Sequence, residues 1–169
     1  MKRLVILGAG GHGQTVADVA RQCGCYDEIL FLDDRAKEAA GKCSEYLKYM
    51  GPDTEMYPAF GNNESRLKWE RTFVEAGIKL ARIIHPTAYV SPTAIIENGC
   101  VVLPHAIVNT DVHVRMACII NCGAIVDHGC VLGEGVHVGP GAIVKAENDI
   151  PRCTKIESGE VIARSTYPV

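Results

Sequence analysis

The chain lacks any long uninterrupted apolar run. Its N-terminal apolar stretch, Leu4–Leu7, is four residues long and is followed at once by glycines. A secretory signal or a membrane span needs a much longer apolar run. We therefore expect a cytoplasmic protein with no membrane partner.

The chain also lacks a dense run of one charge. Its 17 basic and 20 acidic residues are spread along 169 positions and give a formal net charge of -3. A protein that binds nucleic acid through its phosphates needs clustered Lys and Arg, so the sequence argues against a nucleic-acid partner. The length and the 47% hydrophobic content fit one or two small globular domains.

A disulfide pattern is missing although the chain has eight cysteines. No CxxC pair occurs, and one residue separates Cys23 from Cys25. Without an export signal, we expect reduced and mostly buried thiols. Cys100, Cys118 and Cys130 fall on one phase of a six-residue repeat, where other hexads carry Ala. This placement favours packing over a catalytic thiol.

The six-residue repeat fills the second half of the chain. Every sixth residue is aliphatic at fourteen successive positions: Ile84, Val90, Ile96, Val102, Val108, Val114, Ile120, Val126, Leu132, Val138, Val144, Ile150, Ile156 and Ile162. Because Ile, Leu and Val make up roughly a quarter of the chain, chance would produce this run with a probability on the order of 10⁻⁸. A second phase, four residues further on, is small from Ala88 to Ala142.

A strict period of six predicts a parallel β-helix. An α-helix cannot hold such a period on one face, because about 3.6 residues per turn rotate the stripe away. Short strands joined by corners can, and with three hexads per coil the repeat gives between four and five coils. Beyond Ala142 the small phase becomes Asn148, Thr154, Glu160 and Thr166, so we expect a frayed or capping last coil.

The residues before the repeat predict a Rossmann-like half. A strand over Lys2–Leu7 runs into Gly8-Ala9-Gly10-Gly11-His12-Gly13, which fits GxGxxG, and a helix follows over Gln14–Cys23. A second strand, Glu28–Leu32, ends at Asp33-Asp34. Glycines in such a turn let backbone N–H groups reach a phosphate at a helix N-terminus. A tight turn without a ligand is the alternative.

The front part is short for a dinucleotide fold. Fewer than about 80 residues precede the repeat, too few for two Rossmann halves, so a mononucleotide ligand is favoured over NAD. We expect a short polar helix over 42–49, a helix over 64–77 and a last strand over 79–84. Asn62 and Asn63 either cap the second of these helices or contact a ligand. The sequence thus predicts an α/β domain over residues 1–82 and a β-helix over residues 83–169.

His128 is the candidate general base. It stands two residues after Val126, at a phase that is neither aliphatic nor small, and Asp127 precedes it. An outward imidazole can take a proton from an amine or a hydroxyl as it attacks an acyl carbon. A plain surface histidine at a coil corner is the alternative. His128 and His137 are nine residues apart, which is not the spacing of paired zinc ligands, so we expect no metal.

Six short motifs, in order along the chain, carry a resemblance to a known family: Gly10-Gly11-His12-Gly13, Phe31-Leu32-Asp33-Asp34, Gly61-Asn62-Asn63-Glu64, Ile84-His85-Pro86, Ile119-Ile120-Asn121 and Val126-Asp127-His128-Gly129-Cys130. Together they resemble the sugar acyltransferases of the PglD and NeuD type. The β-helix of that family is left-handed, so the resemblance implies the same hand here.

The resemblance implies transfer of an acetyl group from acetyl-CoA to the amino group of a UDP-linked amino sugar, or to a sugar hydroxyl. By resemblance His128 would be the base, Asn121 would lie near the acceptor sugar and His137 would contact acetyl-CoA. The residues that would hold the nucleotide sugar are Gly10, Gly11, His12, Asp33, Asp34 and Gly61. The family forms homotrimers with active sites between neighbouring β-helices, so another subunit would complete the groove around His128.

Two departures from the family pattern keep an alternative open. An acidic residue usually follows the histidine, but here that position is Gly129; Asp127 can replace it only if its side chain reaches the ring. The chain is also shorter by one or two coils, and Ile156–Glu160 replaces the usual loop over acetyl-CoA. A non-catalytic nucleotide-sugar binding module is therefore the second hypothesis, and a metal-dependent hydratase is a third.

Overall fold

The computed structural model describes residues 1–168. The chain folds into two compact units, and the boundary between them falls between Ala81 and Arg82. No helix among residues 1–168 has the length and apolar character needed to cross a bilayer.

The first unit is a parallel α/β sheet with helices. Its strands are β1 (Arg3–Leu7), β2 (Glu28–Leu32), β3 (Thr54–Pro58) and β4 (Lys79–Leu80). They pair in the order β2-β1-β3-β4, all parallel. Its helices are α1 (Gly11–Cys23), a 3₁₀ helix (Cys43–Tyr49) and α2 (Asn63–Glu75). The 3₁₀ helix occupies the segment predicted as a short polar helix.

The first helix begins earlier than predicted. α1 starts at Gly11 rather than Gln14, although glycine is a poor helix former. Glycine at position 13 permits this early start, because a Cβ there would overlap the Gly8 carbonyl oxygen. The helix can pack this closely on the end of β1 only with glycine in its first turn.

Strand β3 was not predicted from the sequence. It pairs with β1 over its whole length, and its Met56 and Tyr57 side chains are fully buried. Pro58 ends it, and the Ala59 N–H donates to the Leu7 carbonyl in the next position. A five-residue segment with Thr, Glu and Pro shows no clear alternation, so the pairing with β1 decides its structure.

The prediction of one strand over residues 79–84 was wrong. β4 ends at Leu80 and pairs with β3, whereas Ile83 and Ile84 pair with Val101 and Val102. Leu80 and Ala81 belong to the first unit, whereas Ile83 and Ile84 belong to the second, and only Arg82 separates the two apolar pairs. Hydrophobicity alone cannot show the break between them.

The second unit is built from two-residue strands. Residues 82–168 form fourteen of them, β5 to β18 in chain order: Ile83–Ile84, Tyr89–Val90, Ile95–Ile96, Val101–Val102, Ile107–Val108, His113–Val114, Ile119–Ile120, Ile125–Val126, Val131–Leu132, His137–Val138, Ile143–Val144, Asp149–Ile150, Lys155–Ile156 and Val161–Ile162.

These strands form three parallel sheets, each joining every third strand. Face 1 holds β5, β8, β11, β14 and β17; face 2 holds β6, β9, β12, β15 and β18; face 3 holds β7, β10, β13 and β16. Each strand therefore stacks on the strand eighteen residues away, as Ile119 does on Val101 and His137. The period of a parallel β-helix is confirmed, and its left hand stays a prediction.

The two inward phases of the repeat form one continuous core. Along the middle coils the aliphatic residues are fully buried, as at Val108 and Val126. Cys100, Cys118 and Cys130 are buried with them and are free thiols. Burial raises the pKa of the Cys100 thiol well above its usual value and raises that of Cys130. Both facts fit a packing role.

The last coil is regular rather than frayed. Asn148 replaces a small residue, yet it is fully buried. Its amide nitrogen donates to the carbonyls of Lys145 (2.7 Å) and Ala163 (2.9 Å), and its oxygen accepts from the Tyr167 N–H (2.8 Å). Because the side chain bonds to backbone groups of its own and the next coil, β16 to β18 keep the register.

Candidate functional site

His128 lies at the corner between face 2 and face 3. It follows β12, and its side chain is 54% exposed. The Asp127 Oδ1 atom accepts the His128 backbone N–H at 2.8 Å and lies 3.0 Å from Nδ1 of the ring. Asn109, one coil earlier, donates to the same oxygen at 3.1 Å. The Asp127 side chain therefore reaches the ring, and Nε2 is the nitrogen left to take a proton.

Asp127 is held in its charged form. The His128 backbone N–H, and then the ring and Asn109, keep the pKa of the Asp127 carboxyl below its usual range. A carboxylate against Nδ1 fixes the orientation of the imidazole and stabilises its protonated form. This is the electrostatic arrangement that a histidine base requires.

An acidic residue from the following coil also lies at this corner. A Cβ on Gly129 would meet the Cγ of Glu147 at 3.8 Å, and the Glu147 N–H donates to the His128 carbonyl at 3.2 Å. Arg164 donates to both Glu147 oxygens, at 2.7 and 3.1 Å, and this pairing lowers the pKa of the Glu147 carboxyl. Sequence reasoning missed Glu147, although the eighteen-residue coil length places it beside Gly129.

Asn121 and His137 meet at a different corner. Asn121 follows β11 between face 1 and face 2, and its Nδ2 lies 3.1 Å from Nε2 of His137, which points outward from β14. The Asn121 Oδ1 accepts the Cys122 N–H at 2.8 Å. The structure thus brings these two predicted residues together, but it places them one corner away from His128.

The glycines of the first unit fall into two classes. Gly8 has φ +99°, and a Cβ on Gly13 would overlap the Gly8 carbonyl, so the fold itself requires glycine at both. Gly10 and Gly11 are exposed, and a Cβ at either would meet nothing within 4 Å. The fold does not require them, but they leave bare backbone at the N-terminus of α1, where an anionic ligand can bind.

Asp33 and Asp34 follow β2 and bind backbone N–H groups at the carboxyl edge of the sheet. Asp33 accepts the Ala9 N–H on Oδ2 (2.8 Å) and the N–H groups of Arg35 and Ala36 on Oδ1. These bonds, chiefly that from Ala9, hold the pKa of the Asp33 carboxyl below its usual range. Asp34 accepts the Cys43 N–H at 3.1 Å. Asp33 therefore anchors the glycine turn, a role that the sequence did not predict.

The other predicted residues lie at the carboxyl ends of the same strands. His12 is half-buried, and its Nε2 lies 3.3 Å from the Tyr57 hydroxyl oxygen. Gly61 is exposed just after β3. Asn62 caps α2 by accepting the Ser65 N–H at 2.8 Å, whereas Asn63 accepts from the buried guanidinium of Arg66.

Carboxylates and histidines of the coils occur in pairs. His113 lies 2.8 Å from Glu97, much as His128 lies beside Asp127. Within residues 1–168, no group of three or more His, Cys, Asp or Glu side chains is placed to hold a metal ion.

Comparison with known proteins connects both units to sugar acetyltransferases. The family model described as the PglD N-terminal domain matches residues 3–73. The curated UDP-N-acetylbacillosamine N-acetyltransferase of Bacillus subtilis is 29% identical over 112 residues, which cover 61% of this chain and 52% of that protein. The match therefore spans about half the length of the curated relative.

Two solved structures match over nearly the whole chain. The acetyltransferase domain of PglB from Neisseria gonorrhoeae, in complex with acetyl coenzyme A, is 34% identical with a TM-score of 0.81, covering 95% of this chain and 87% of that one. PerB from Caulobacter crescentus, in complex with CoA and GDP-perosamine, is 29% identical with a TM-score of 0.79, covering 100% and 92%. Each likeness includes both units.

Proposed function

Because the chain belongs to the PglD-type family of sugar acyltransferases, we propose that it transfers the acetyl group of acetyl-CoA to an amino group of a nucleotide-linked sugar. The Asp127–His128 pair carries this proposal, since it supplies an oriented base at a coil corner. The ligands of the PglB domain and PerB support the two substrates. A sugar hydroxyl as acceptor would need the same chemistry.

His128 acts as the general base of the reaction. The neutral amine attacks the thioester carbonyl carbon while Nε2 of His128 takes a proton from its nitrogen. The tetrahedral intermediate then collapses, the C–S bond breaks, and the imidazolium returns the proton to the CoA thiolate. The Asp127 carboxylate stabilises the imidazolium between these steps, and no covalent enzyme intermediate forms.

The first unit, as a Rossmann-like domain over residues 1–82, holds the nucleotide. The bare backbone at Gly10 and Gly11 suits a diphosphate at the N-terminus of α1, with His12, Asp34 and Gly61 at the same sheet edge. Asp33 contributes by holding the turn in place, because its oxygens already accept three backbone N–H groups.

The β-helix of the second unit, left-handed by family, forms homotrimers. His137 and Asn121, the proposed acetyl-CoA and acceptor contacts, lie one corner away from His128 in the same chain. A site between neighbouring subunits would bring the Asn121–His137 corner of one chain next to the His128 corner of another. An outward apolar stripe on face 2 supports this assembly, with one residue from each coil: Tyr89, Ile107, Ile125, Ile143 and Val161. Surfaces of this kind mark subunit interfaces.

Replacement of the base tests the mechanism. His128→Ala removes the proton acceptor from an exposed side chain, so we expect the release of CoA thiol to fall by at least about 100-fold with unchanged circular dichroism. His105→Ala, another exposed coil histidine, is the matched control and should stay active. Full activity of His128→Ala would show that another group is the base.

Acetyl-CoA binding separates the enzyme from the alternative, a non-catalytic nucleotide-sugar binding module. Calorimetric titration should show saturable binding at about one site per subunit if the shortened coils still form the groove. A folded protein that binds UDP-sugar but no acetyl-CoA would instead be the binding module. The reach of Asp127 to the His128 ring favours the enzyme.

A further inference from the structure

Glu147 is a charged residue of the His128 corner that the proposed mechanism does not use. It stands eighteen residues after Gly129, so it occupies the same position of the corner on the following coil. Its backbone N–H donates to the His128 carbonyl at 3.2 Å. The stacking of coils therefore places a second carboxylate at the corner of the proposed base, in addition to that of Asp127.

The Glu147 side chain leans toward the coil that carries His128. A Cβ on Gly129 would lie 3.8 Å from the Glu147 Cγ, which is ordinary van der Waals contact. Stacked strands are about 4.8 Å apart, so this Cγ lies closer to the His128 coil than the spacing of the coils alone would place it. Glycine at position 129 thus leaves the space after His128 to a side chain from the next coil.

Arg164 holds the Glu147 carboxylate in place. Its Nη2 and Nε atoms donate to the two carboxylate oxygens at 2.7 and 3.1 Å. A two-point bond of this kind fixes the orientation of the carboxylate. Arg164 comes from one coil further on, so the negative end of the pair is the end nearer to His128.

Charge couples Glu147 to the proposed base. The hydrogen bonds and charge of Arg164, and then the charge of His128, lower the pKa of the Glu147 carboxyl. This coupling is mutual, because an imidazolium that stabilises a carboxylate is stabilised by it in turn. Three other charged side chains lie on stacked coils at this corner: Asp111, Asp127 and Lys145.

We propose that Glu147 is a positioning residue for the transfer reaction: fixed by Arg164, it stabilises the imidazolium that His128 forms when its Nε2 takes the proton. The inference rests on the proposed function, in which His128 is the base. Glu147 acts only through His128 and touches neither substrate. The rate of transfer then depends on a carboxylate from the following coil as well as on the neighbouring Asp127.

Glu147→Gln removes the charge and keeps the shape of an exposed side chain. With GDP-perosamine or a UDP-linked amino sugar as acceptor, we expect kcat to fall about three- to tenfold and both KM values to stay unchanged. Glu97→Gln is the matched control, because Glu97 lies 2.8 Å from another coil histidine, His113, at the corner between face 3 and face 1. An unchanged kcat in Glu147→Gln would overturn the proposal.

Restoring a carboxylate on the His128 coil distinguishes charge from structure. The corner accepts Asp at position 129, since Asp111 on the preceding coil has φ +57° where Gly129 has φ +64°. We expect Gly129→Asp to raise the kcat of Glu147→Gln at least about twofold. Gly129→Asn in the same background has the same shape without the charge and should not raise it. Equal rates of the two double variants would show that Glu147 acts through structure alone.

A measurement without substrates separates this proposal from the proposed function. The His128 ring is followed by NMR as the pH is changed, and its signal is identified by its loss in His128→Ala. We expect the midpoint of its titration to be about half a pH unit lower in Glu147→Gln. This shift in a protein that releases no CoA would keep the charge coupling and refute the transfer reaction. An unchanged midpoint in an active protein would refute the role of Glu147 alone.

Discussion

At the scale of single residues, the Asp127–His128 pair shows how one coil corner orients the imidazole that we propose as the base. One carboxylate oxygen accepts both the backbone N–H and the ring N–H of the next residue. The ring is thereby fixed in the tautomer whose Nε2 is basic. Asn109 holds the same oxygen from the preceding coil, so stacking of coils supports the site.

Asp127→Asn tests this arrangement. The amide keeps a hydrogen-bond acceptor for the ring but loses the charge that stabilises the imidazolium. We expect kcat to fall between about 10- and 1,000-fold with little change in thermal stability. CoA release at saturating substrates measures it. Asp149→Asn, which changes an exposed carboxylate on face 3, should leave kcat unchanged; equal kcat in both variants would remove Asp127 from the mechanism.

Asp33→Asn tests the anchoring of the glycine turn. An amide has one acceptor oxygen for two sets of N–H donors, so we expect a loss of about 1–2 kcal/mol in the free energy of unfolding at pH 7. The pKa of Asp33 is lowered in the folded state. Its stabilisation is therefore present above the unfolded-state value of about 3.9 and is lost as pH falls through the folded-state value.

Urea unfolding at several pH values measures this difference. The difference in the free energy of unfolding between the unsubstituted protein and Asp33→Asn should be constant near neutrality. It should shrink below about pH 4. Asp34→Asn is the control, because one amide oxygen can still accept its single bond from Cys43. A gap that does not depend on pH would contradict the assigned charge.

At the scale of elements, the turn after β1 contains glycines that the fold requires and glycines that we propose for binding. We expect Gly13→Ala to lower the free energy of unfolding by about 1–3 kcal/mol, since its Cβ would press on the Gly8 carbonyl. Gly10→Ala adds a Cβ to open space, so it should leave thermal unfolding unchanged and weaken UDP or GDP binding. Thermal melts and calorimetry of both variants measure the two effects. Unchanged nucleotide binding by Gly10→Ala would place the diphosphate elsewhere.

The coils could be predicted because each hexad contributes one inward aliphatic residue, and this signal survives without knowledge of any contact. β3 could not be predicted, since its place depends on pairing with β1. The burial of the Asn148 amide could not be predicted either. A polar side chain suits the core there only because the Lys145 and Ala163 carbonyls accept its hydrogen bonds.

The candidate site shows the same division. The phase of the repeat identified His128 as a candidate. The order of the motifs identified the carboxyl edge of the first unit's sheet. Glu147 was missed, because it reaches the His128 corner from the following coil and carries no signal in its own segment. Asp33 was noticed, but the backbone groups that it binds became visible only in the folded turn.

At the scale of the whole molecule, the stripe on face 2 predicts how a complete active site forms. Its end residues, Tyr89 and Val161, are 54% and 51% exposed, and the outward positions between them are aliphatic and half-buried. Face 3 differs, because its outward positions include His113 and Asp149. A subunit that covers face 2 would lie directly beside the corner that carries His128.

Ile107→Asp places one charge in the middle of this stripe. Burying an unpaired carboxylate between subunits is strongly unfavourable, so we expect light scattering to show monomers for this variant and the proposed trimer for the unmodified protein. Transfer should be lost while UDP or GDP binding by the first unit remains. Val131→Asp, at the equivalent outward and half-buried position of face 3, should remain trimeric and active. If Ile107→Asp is a fully active monomer, one chain holds the whole site, and His137 would then have to act without a neighbour's His128.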